Sequence, residues 1–173
     1  MSQDLADLIT QYVSEFGKMA SIDNLKVKGP FDLTVLDEQN LPYWGQHHND
    51  HFGEGYKLQA RVYVIASGNH EGFYIGSSIG GGSAIGNRLW GYHFGPYTKF
   101  KEGSLNGKSE IAIRTILDKN ANPTTGRFVD VRFLFLVLVP NEKRWLASAL
   151  ESFLIEKMDP PWNILGRKRK GVQ

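Results

Sequence analysis

A predicted β-hairpin constrains the fold of this chain more than any other stretch. Residues 61–66 and 72–77 are short runs rich in β-branched and aromatic side chains, and the residues between them favour a turn. We expect a two-residue turn at Asn69 and His70. Such a turn fixes the register of the two strands, because each strand residue then has one partner.

The predicted register places two tyrosines on one face of the hairpin. Tyr63 falls opposite Gly76, and Tyr74 falls opposite Ile65. The two tyrosines are then diagonal neighbours, within about 7–8 Å of each other. Because Gly76 has no side chain, we expect a gap facing Tyr63 into which a ligand can fit.

A glycine-rich loop and a predicted helix follow the second strand. Ser83 is a suitable N-cap for a helix that continues to His93. On that helix Arg88 and Tyr92 are four residues apart and share a face, with His93 one residue further round. The glycines match neither the dinucleotide-binding nor the phosphate-loop pattern, so they imply no nucleotide cofactor. Their N–H groups can still face a phosphate.

Two C-terminal segments complete the predicted core. Residues 128–139 alternate at first and then become wholly apolar, which is typical of a strand covered on both faces. We therefore place this strand at the centre of the sheet. Residues 142–158 have a helical apolar stripe, with Asn141 as the expected N-cap. Glu151 lies at the edge of that stripe, where a carboxylate needs compensation: it is either a metal ligand or the partner of an arginine or lysine.

These segments together resemble the GIY-YIG nucleases. The matching elements occur in the family's order between residues 61 and 163, and the two tyrosines are eleven residues apart, as is usual in that family. In chain order the elements are Val62-Tyr63-Val64-Ile65, the triplet Tyr74-Ile75-Gly76, Arg88-Leu89 with Tyr92 and His93, Glu151 with Leu154-Ile155, and Pro161 with Asn163.

The chain departs from the family's pattern at two positions. Arg61 or Val62 stands where the first triplet has glycine, which a strand position does not require. The family's helix carries a histidine or tyrosine four residues after its arginine. Here that position is Tyr92, and His93 is five residues after, so either side chain can fill the role, with Tyr92 favoured.

The resemblance implies metal-dependent hydrolysis of phosphodiester bonds. Glu151 would hold one Mg²⁺, for which Mn²⁺ can substitute, and Arg88 would stabilise the charge that develops on the phosphate. Tyr63 would act as the base or orient the attacking water. A free tyrosine has a pKa near 10, so a base at this position needs positive charge nearby, from Arg88 or the metal.

The remaining residues of the implied site have supporting roles. Tyr74 and either Tyr92 or His93 would position the water and the phosphate. Asn163 would brace the site. The implied fold is mixed α/β (α+β): a compact domain with a small central β-sheet that contains the antiparallel hairpin and is flanked by helices.

The N-terminal segment, residues 1–60, is predicted as a helical and irregular extension. Ser2 can cap a helix that ends at Gly17 and whose apolar face serves as a scaffold or a dimer contact. The segment also contains His47, His48 and His51. They either chelate a metal or lie in a solvated or DNA-proximal loop, and the flanking glycines favour the loop.

Two basic segments are candidates for DNA contact. The first is an excursion at residues 97–126, and the second is a tail at residues 164–173. Charged faces of this kind are also commonly just solvated. The cations are Lys99, Lys101 and Lys108 in the excursion, and Arg167, Lys168, Arg169 and Lys170 in the tail.

Length and composition bound the class of protein. A chain of 173 residues with 41% hydrophobic content predicts one domain, with residues 61–163 as its catalytic core. The absence of cysteine excludes disulfides and thiolate metal sites. No apolar run approaches the roughly 20 residues that span a bilayer, and no signal peptide is seen, so a cytoplasmic protein is expected. A net charge of +2 does not by itself indicate nucleic-acid binding.

We therefore predict a DNA endonuclease that acts on double-stranded DNA, most like the stand-alone restriction-type enzymes of that family. The alternatives are a toxin-like or repair nuclease of low sequence specificity and a catalytically silent nucleic-acid-binding module. One set of site residues and no internal repeat predict a homodimer, at least on DNA, because one site cuts one strand at a time.

Overall fold

The computed structural model describes residues 4–32, 59–79 and 131–163. Within them the chain forms two α-helices, four β-strands and one short 3₁₀ helix. In chain order these are α1 (Leu5–Met19), β1 (Lys26–Asp32), β2 (Ala60–Ser67), β3 (Phe73–Ser78), β4 (Val131–Val139), the 3₁₀ helix (Asn141–Lys143) and α2 (Leu146–Met158). The mixed α+β class expected from the sequence is confirmed.

The four strands form one antiparallel sheet in the order β1-β4-β2-β3. The apolar strand β4 lies between β1 and β2, which confirms its predicted interior position. Every residue of β2 is buried, as expected for an interior strand with both faces covered. Both Val62 and Tyr63, which point to opposite faces, have no exposed surface.

Strand β1 was not predicted, because two breakers interrupt its sequence. Gly29 has φ of 109°, a conformation that favours glycine, and Pro30 lacks an N–H to donate. The pairing with β4 shifts between Lys28 and Phe31, so the strand accommodates the breakers in a bulge at the edge of the sheet.

The β2–β3 hairpin has the predicted register but a different turn. Ladder pairs place Tyr63 opposite Gly76 and Ile65 opposite Tyr74, as expected. The last ladder pair before the turn is Ala66 with Phe73, so the expected two-residue turn at Asn69 and His70 is wrong.

The loop is longer because side-chain hydrogen bonds stabilise it. The Ser67 carbonyl accepts from the His70 N–H at 3.1 Å, and Ser67 N donates to the Gly72 carbonyl at 2.8 Å. The Asn69 side-chain oxygen accepts from Ser67 Oγ at 2.7 Å and from Glu71 N at 3.1 Å. Compared with the expected two-residue turn, this Asx-type loop has the same number of extra residues on each side of Asn69 and His70. The register of the strands is therefore the predicted one.

Helix α1 differs from the prediction at both ends. Asp4 is the N-cap in place of Ser2, and its side chain accepts from Ala6 N at 3.4 Å. The helix passes through Gly17, which is buried inside it, and ends at Met19. A Cβ on Gly17 would lie 3.0 Å from the Ile22 carbonyl oxygen, so the glycine allows the following turn to pack closely.

The apolar face of α1 forms part of the domain core. Leu5, Ile9, Val13 and Phe16 are all buried in the cluster that also contains β-sheet residues. The scaffold role is therefore confirmed, whereas this face is not free to serve as a dimer contact.

Helix α2 begins later than predicted. Asn141 opens the 3₁₀ helix, and α2 starts at Leu146 after Trp145, without a side-chain cap hydrogen bond. The helix ends at Met158. Its C-cap residue Asp159 has a left-handed φ of 44°, and Pro160 prevents continuation of the helix.

Both helices pack on one face of the sheet. Alternation along β2 points Val62, Val64 and Ala66 toward the helices, where they join the core cluster with Leu150 and Leu154 of α2. Arg61, Tyr63 and Ile65 point to the opposite face. No helix among the described residues is long and apolar enough to cross a membrane.

Candidate active site

The two hairpin tyrosines lie side by side, as their register requires. The ring centroids of Tyr63 and Tyr74 are 6.3 Å apart, with an interplanar angle of 35°. Tyr63 has no exposed surface, whereas Tyr74 is half-buried. Their predicted position on one face of the sheet is confirmed.

The expected gap over Gly76 is filled by a protein side chain. A Cβ at Gly76 would lie 2.5 Å from Cζ and 2.9 Å from Cε2 of Tyr63. The phenol ring of Tyr63 therefore lies directly over the glycine. Gly76 makes room for Tyr63 itself, so the expectation of a ligand-sized gap at this point is wrong.

Asn163 joins the C-terminal segment to β3. The amide oxygen of Asn163 accepts from Ile75 N at 2.8 Å, and its amide nitrogen donates to the Ile75 carbonyl at 2.7 Å. In an antiparallel edge strand every second residue points its N–H and C=O away from the neighbouring strand. Asn163 satisfies both outward groups of Ile75, and it is itself buried. The side chain thus completes the edge of the sheet.

Trp162 extends the same contact, and the sequence interpretation missed it. The main-chain N–H of Trp162 donates to the Phe73 carbonyl at 3.1 Å, and the residue is only 4% exposed. A Cβ on Gly72 would lie 2.7 Å from the indole nitrogen, so this glycine provides the space for the ring. The available signal was a large aromatic after two prolines, since such a residue is usually buried.

Glu151 contacts β3 two residues beyond the position that Asn163 binds. Its position on α2 beside Ala147 and Leu154, both fully buried, agrees with the predicted stripe edge. The side chain is half-buried, and its Oε2 accepts from Ser77 Oγ at 2.5 Å. Among the described residues, the compensating partner of this carboxylate is therefore a hydroxyl rather than a lysine or arginine. Ser77 was not identified from the sequence as a site residue.

The two parts of the candidate site approach β3 from opposite faces. Ser77 points to the face covered by α2, as do Ile75 and the core residues of β2. Tyr63, Tyr74 and Gly76 belong to the other face. Strand β3 is thus the element that the tyrosines, Glu151 and Asn163 share.

A buried arginine accompanies the tyrosines. Arg61 is two residues before Tyr63 on the same face of β2 and has no exposed surface. A guanidinium remains charged at every physiological pH. The face of β2 that carries Tyr63 therefore also carries a buried, permanently charged side chain.

Glu151 is the one predicted metal ligand, and it lies among the described residues. No group of three or more histidine, aspartate, glutamate or cysteine side chains occurs in residues 4–32, 59–79 and 131–163. Mg²⁺ commonly binds through one or two carboxylates and completes its octahedron with waters and substrate phosphate. The single half-buried carboxylate of Glu151 is compatible with that mode.

Several predicted residues lie outside the part of the chain that the structure describes. For the helix that follows the hairpin these are Arg88, Tyr92 and His93. For the histidine cluster they are His47, His48 and His51, and for the basic segments they are Lys99, Lys101, Lys108, Arg167, Lys168, Arg169 and Lys170.

Comparisons with known proteins add no further assignment. The chain matches no protein-family model, no curated protein and no solved structure.

Proposed function

We propose that this chain is a divalent-metal-dependent DNA endonuclease of the GIY-YIG type. The observation that supports the proposal is the convergence of sequence-distant motif residues on strand β3. Tyr63 lies over Gly76, Asn163 binds Ile75, and Glu151 binds Ser77. Two of these contacts join residues 74 and 88 positions apart, so they reflect the tertiary fold rather than local sequence.

In the proposed reaction each residue acts on the scissile phosphate or on a group that contacts it. Glu151 would hold Mg²⁺ or Mn²⁺, and the bound ion would supply neutralisation of phosphate charge and assistance to the leaving oxygen. Tyr63 accepts a proton from the attacking water or orients that water. The charge that favours its ionised form comes from Arg88 or from the metal ion. Asn163 acts indirectly, by fixing the strand.

The same structure favours a second candidate function. Tyr63 is fully buried, and its face of the sheet is opposite to the one that Glu151 contacts. A catalytically silent nucleic-acid-binding module does not require Tyr63 and Glu151 to contact the same phosphate. Cleavage activity distinguishes the two candidates.

The principal experiment is plasmid digestion with Mg²⁺, with and without EDTA. We expect Glu151→Gln to abolish cleavage while DNA affinity stays similar, since the variant loses the ligand charge without adding repulsion. Glu156→Gln is the matched control, because it makes the same change at an exposed position of the same helix. No cleavage by the parent protein on varied DNAs and divalent ions would favour the binding module. Equal cleavage by Glu151→Gln would refute the metal assignment.

The digestion products separate the nuclease subclasses. Discrete fragments support a restriction-type enzyme, and a smear supports a toxin-like or repair nuclease of low specificity. Sequencing the fragment ends gives the recognition site, which depends on side chains at the groove edges.

Two further variants test the proposed charge and base. Arg88→Ala should reduce cleavage by about 10² or more if this guanidinium stabilises the transition state. Tyr63→Phe removes only the hydroxyl and should abolish the proton transfer. Cleavage at the parent rate by either variant would remove that residue from the mechanism.

The basic tail and the dimer each have a separate test. Removal of residues 167–173 should weaken binding to all DNA sequences alike. It should also reduce the slope of log affinity against log salt by close to one unit per lost phosphate contact.

To test the dimer, active protein is mixed with excess Glu151→Gln protein. Mixed dimers should nick one strand and give mainly open circles. Linear product in proportion to the active protein would mean that one chain cuts both strands in turn.

A further inference from the structure

The hydroxyl of Ser77 makes a short hydrogen bond to the carboxylate of Glu151. Ser77 Oγ donates to Glu151 Oε2 at 2.5 Å, across 74 residues of sequence. Hydrogen bonds from a hydroxyl to a carboxylate are charge-assisted and therefore stronger than those between neutral groups. The contact is part-buried, so competition from water is reduced.

The strand that carries Ser77 is held firmly on its outer edge. Ile75 lies two residues before Ser77 on this strand. Asn163 binds both outward main-chain groups of Ile75, at 2.8 and 2.7 Å. On the helix side, Leu150 and Leu154 fix α2 on the sheet with no exposed surface. The serine and the glutamate are thus presented by two elements whose relative position is set by core packing.

A glutamate side chain has several rotatable bonds, and ordering them costs conformational entropy when the side chain is unsupported. The Ser77 bond meets this cost in advance of ligand binding. It also uses only Oε2 of Glu151 and so leaves Oε1 for another ligand. In metal sites, hydrogen bonds of this kind orient the ligating carboxylate.

We propose that Ser77 is a positioning residue, which holds one oxygen of Glu151 so that the other can bind the divalent cation. The inference rests on the proposed function, in which Glu151 is the metal ligand. It assigns to Ser77 a role separate from docking α2 on the sheet.

The test measures Mn²⁺ binding by water-proton relaxation. Mn²⁺ is titrated into the free protein and, in a second arm, into the protein with a short DNA duplex. Ser77→Ala should weaken Mn²⁺ binding about tenfold, at the lower end of the range for partners of metal ligands. Ser152→Ala is the matched control, because its hydroxyl donates to the Ser148 carbonyl on the same helix and does not bond to Glu151.

A second pair of variants separates the hydroxyl from packing. Ser77→Thr and Ser77→Val have nearly the same shape, and both suit a strand, but only threonine keeps the donor. Thermal unfolding of each variant reports on docking of the helix. The proposal expects threonine to retain Mn²⁺ affinity within about threefold and valine to lose about tenfold, with similar melting temperatures.

The outcomes separate the two proposals. Equal Mn²⁺ affinity of the threonine and valine variants would overturn the role of Ser77 while leaving Glu151 as the ligand. Absence of Mn²⁺ binding in both arms, or binding unaffected by Glu151→Gln, would overturn the metal site and with it this inference.

Discussion

The amide of Asn163 should contribute strongly to stability, and its contribution can be worked out from two hydrogen bonds. Replacement by alanine leaves the N–H and the carbonyl of Ile75 without the partners they now have at 2.8 and 2.7 Å. A buried main-chain group left unsatisfied costs about 1–3 kcal/mol. Because β3 is an edge strand, water can reach these groups after truncation, which places the sum for two groups near the lower end. We expect Asn163→Ala to lower the free energy of unfolding by about 2–4 kcal/mol.

The assay is urea unfolding at equilibrium, which reports a fall in the midpoint at constant slope if stability alone has changed. Asn141→Ala is the matched control, since this asparagine is exposed and its main-chain hydrogen bond from Arg144 N is kept by alanine. Its effect should be within about 0.5 kcal/mol. Asn163→Asp keeps the acceptor for Ile75 N but sets an oxygen against the Ile75 carbonyl, so it should also be destabilised. If Asn163→Ala unfolds at the same urea concentration as Asn141→Ala, the amide does not hold the sheet edge.

Three further predictions concern packing and charge. Gly76→Ala places a methyl group against the Tyr63 ring. It should lower the free energy of unfolding in urea by about 1–3 kcal/mol and also reduce cleavage. Normal activity would show that the ring can move freely. Leu154→Ala, at a fully buried position, should cost about 2–5 kcal/mol by the same measurement, and a loss below about 0.5 kcal/mol would contradict the core placement of α2. The hydrogen bond from Lys157 to Glu15 raises the pKa of Lys157 above its ordinary value of 10.5. The stability that this bond adds is therefore fully present below pH 10.5 and is lost as the pH rises through the raised pKa. Melting curves from about pH 9 to about pH 12 should show a parent advantage over Lys157→Gln that disappears at the alkaline end, and a constant difference would refute the linkage.

The hairpin register could be predicted although its turn could not, because the expected turn and the observed loop have the same centre. Paired residues such as Tyr63 and Gly76 lie symmetrically about Asn69 and His70 in both cases. The turn depends instead on side-chain hydrogen bonds, chiefly those of Asn69. Several loop lengths are compatible with the same register, and the local sequence does not choose among them.

The buried face of α1 and the interior position of β4 could likewise be predicted from local sequence patterns. The apolar spacing of α1 identified its buried residues, and the unbroken apolar run of β4 identified an interior position. The helix ends were predicted less well. Gly17 was expected to stop α1, but it packs against Ile22 and the helix continues.

Sequence alone thus determined the strands of the hairpin, the interior place of β4, the core face of α1 and the half-buried position of Glu151, because each follows from spacing along one element. Tertiary structure alone decided that β1 joins the sheet, that Trp162 fills the space over Gly72, and that Ser77 is the partner of Glu151. These contacts join residues far apart in the chain. Their formation depends on how the elements pack in space, which no periodic pattern within a single element specifies.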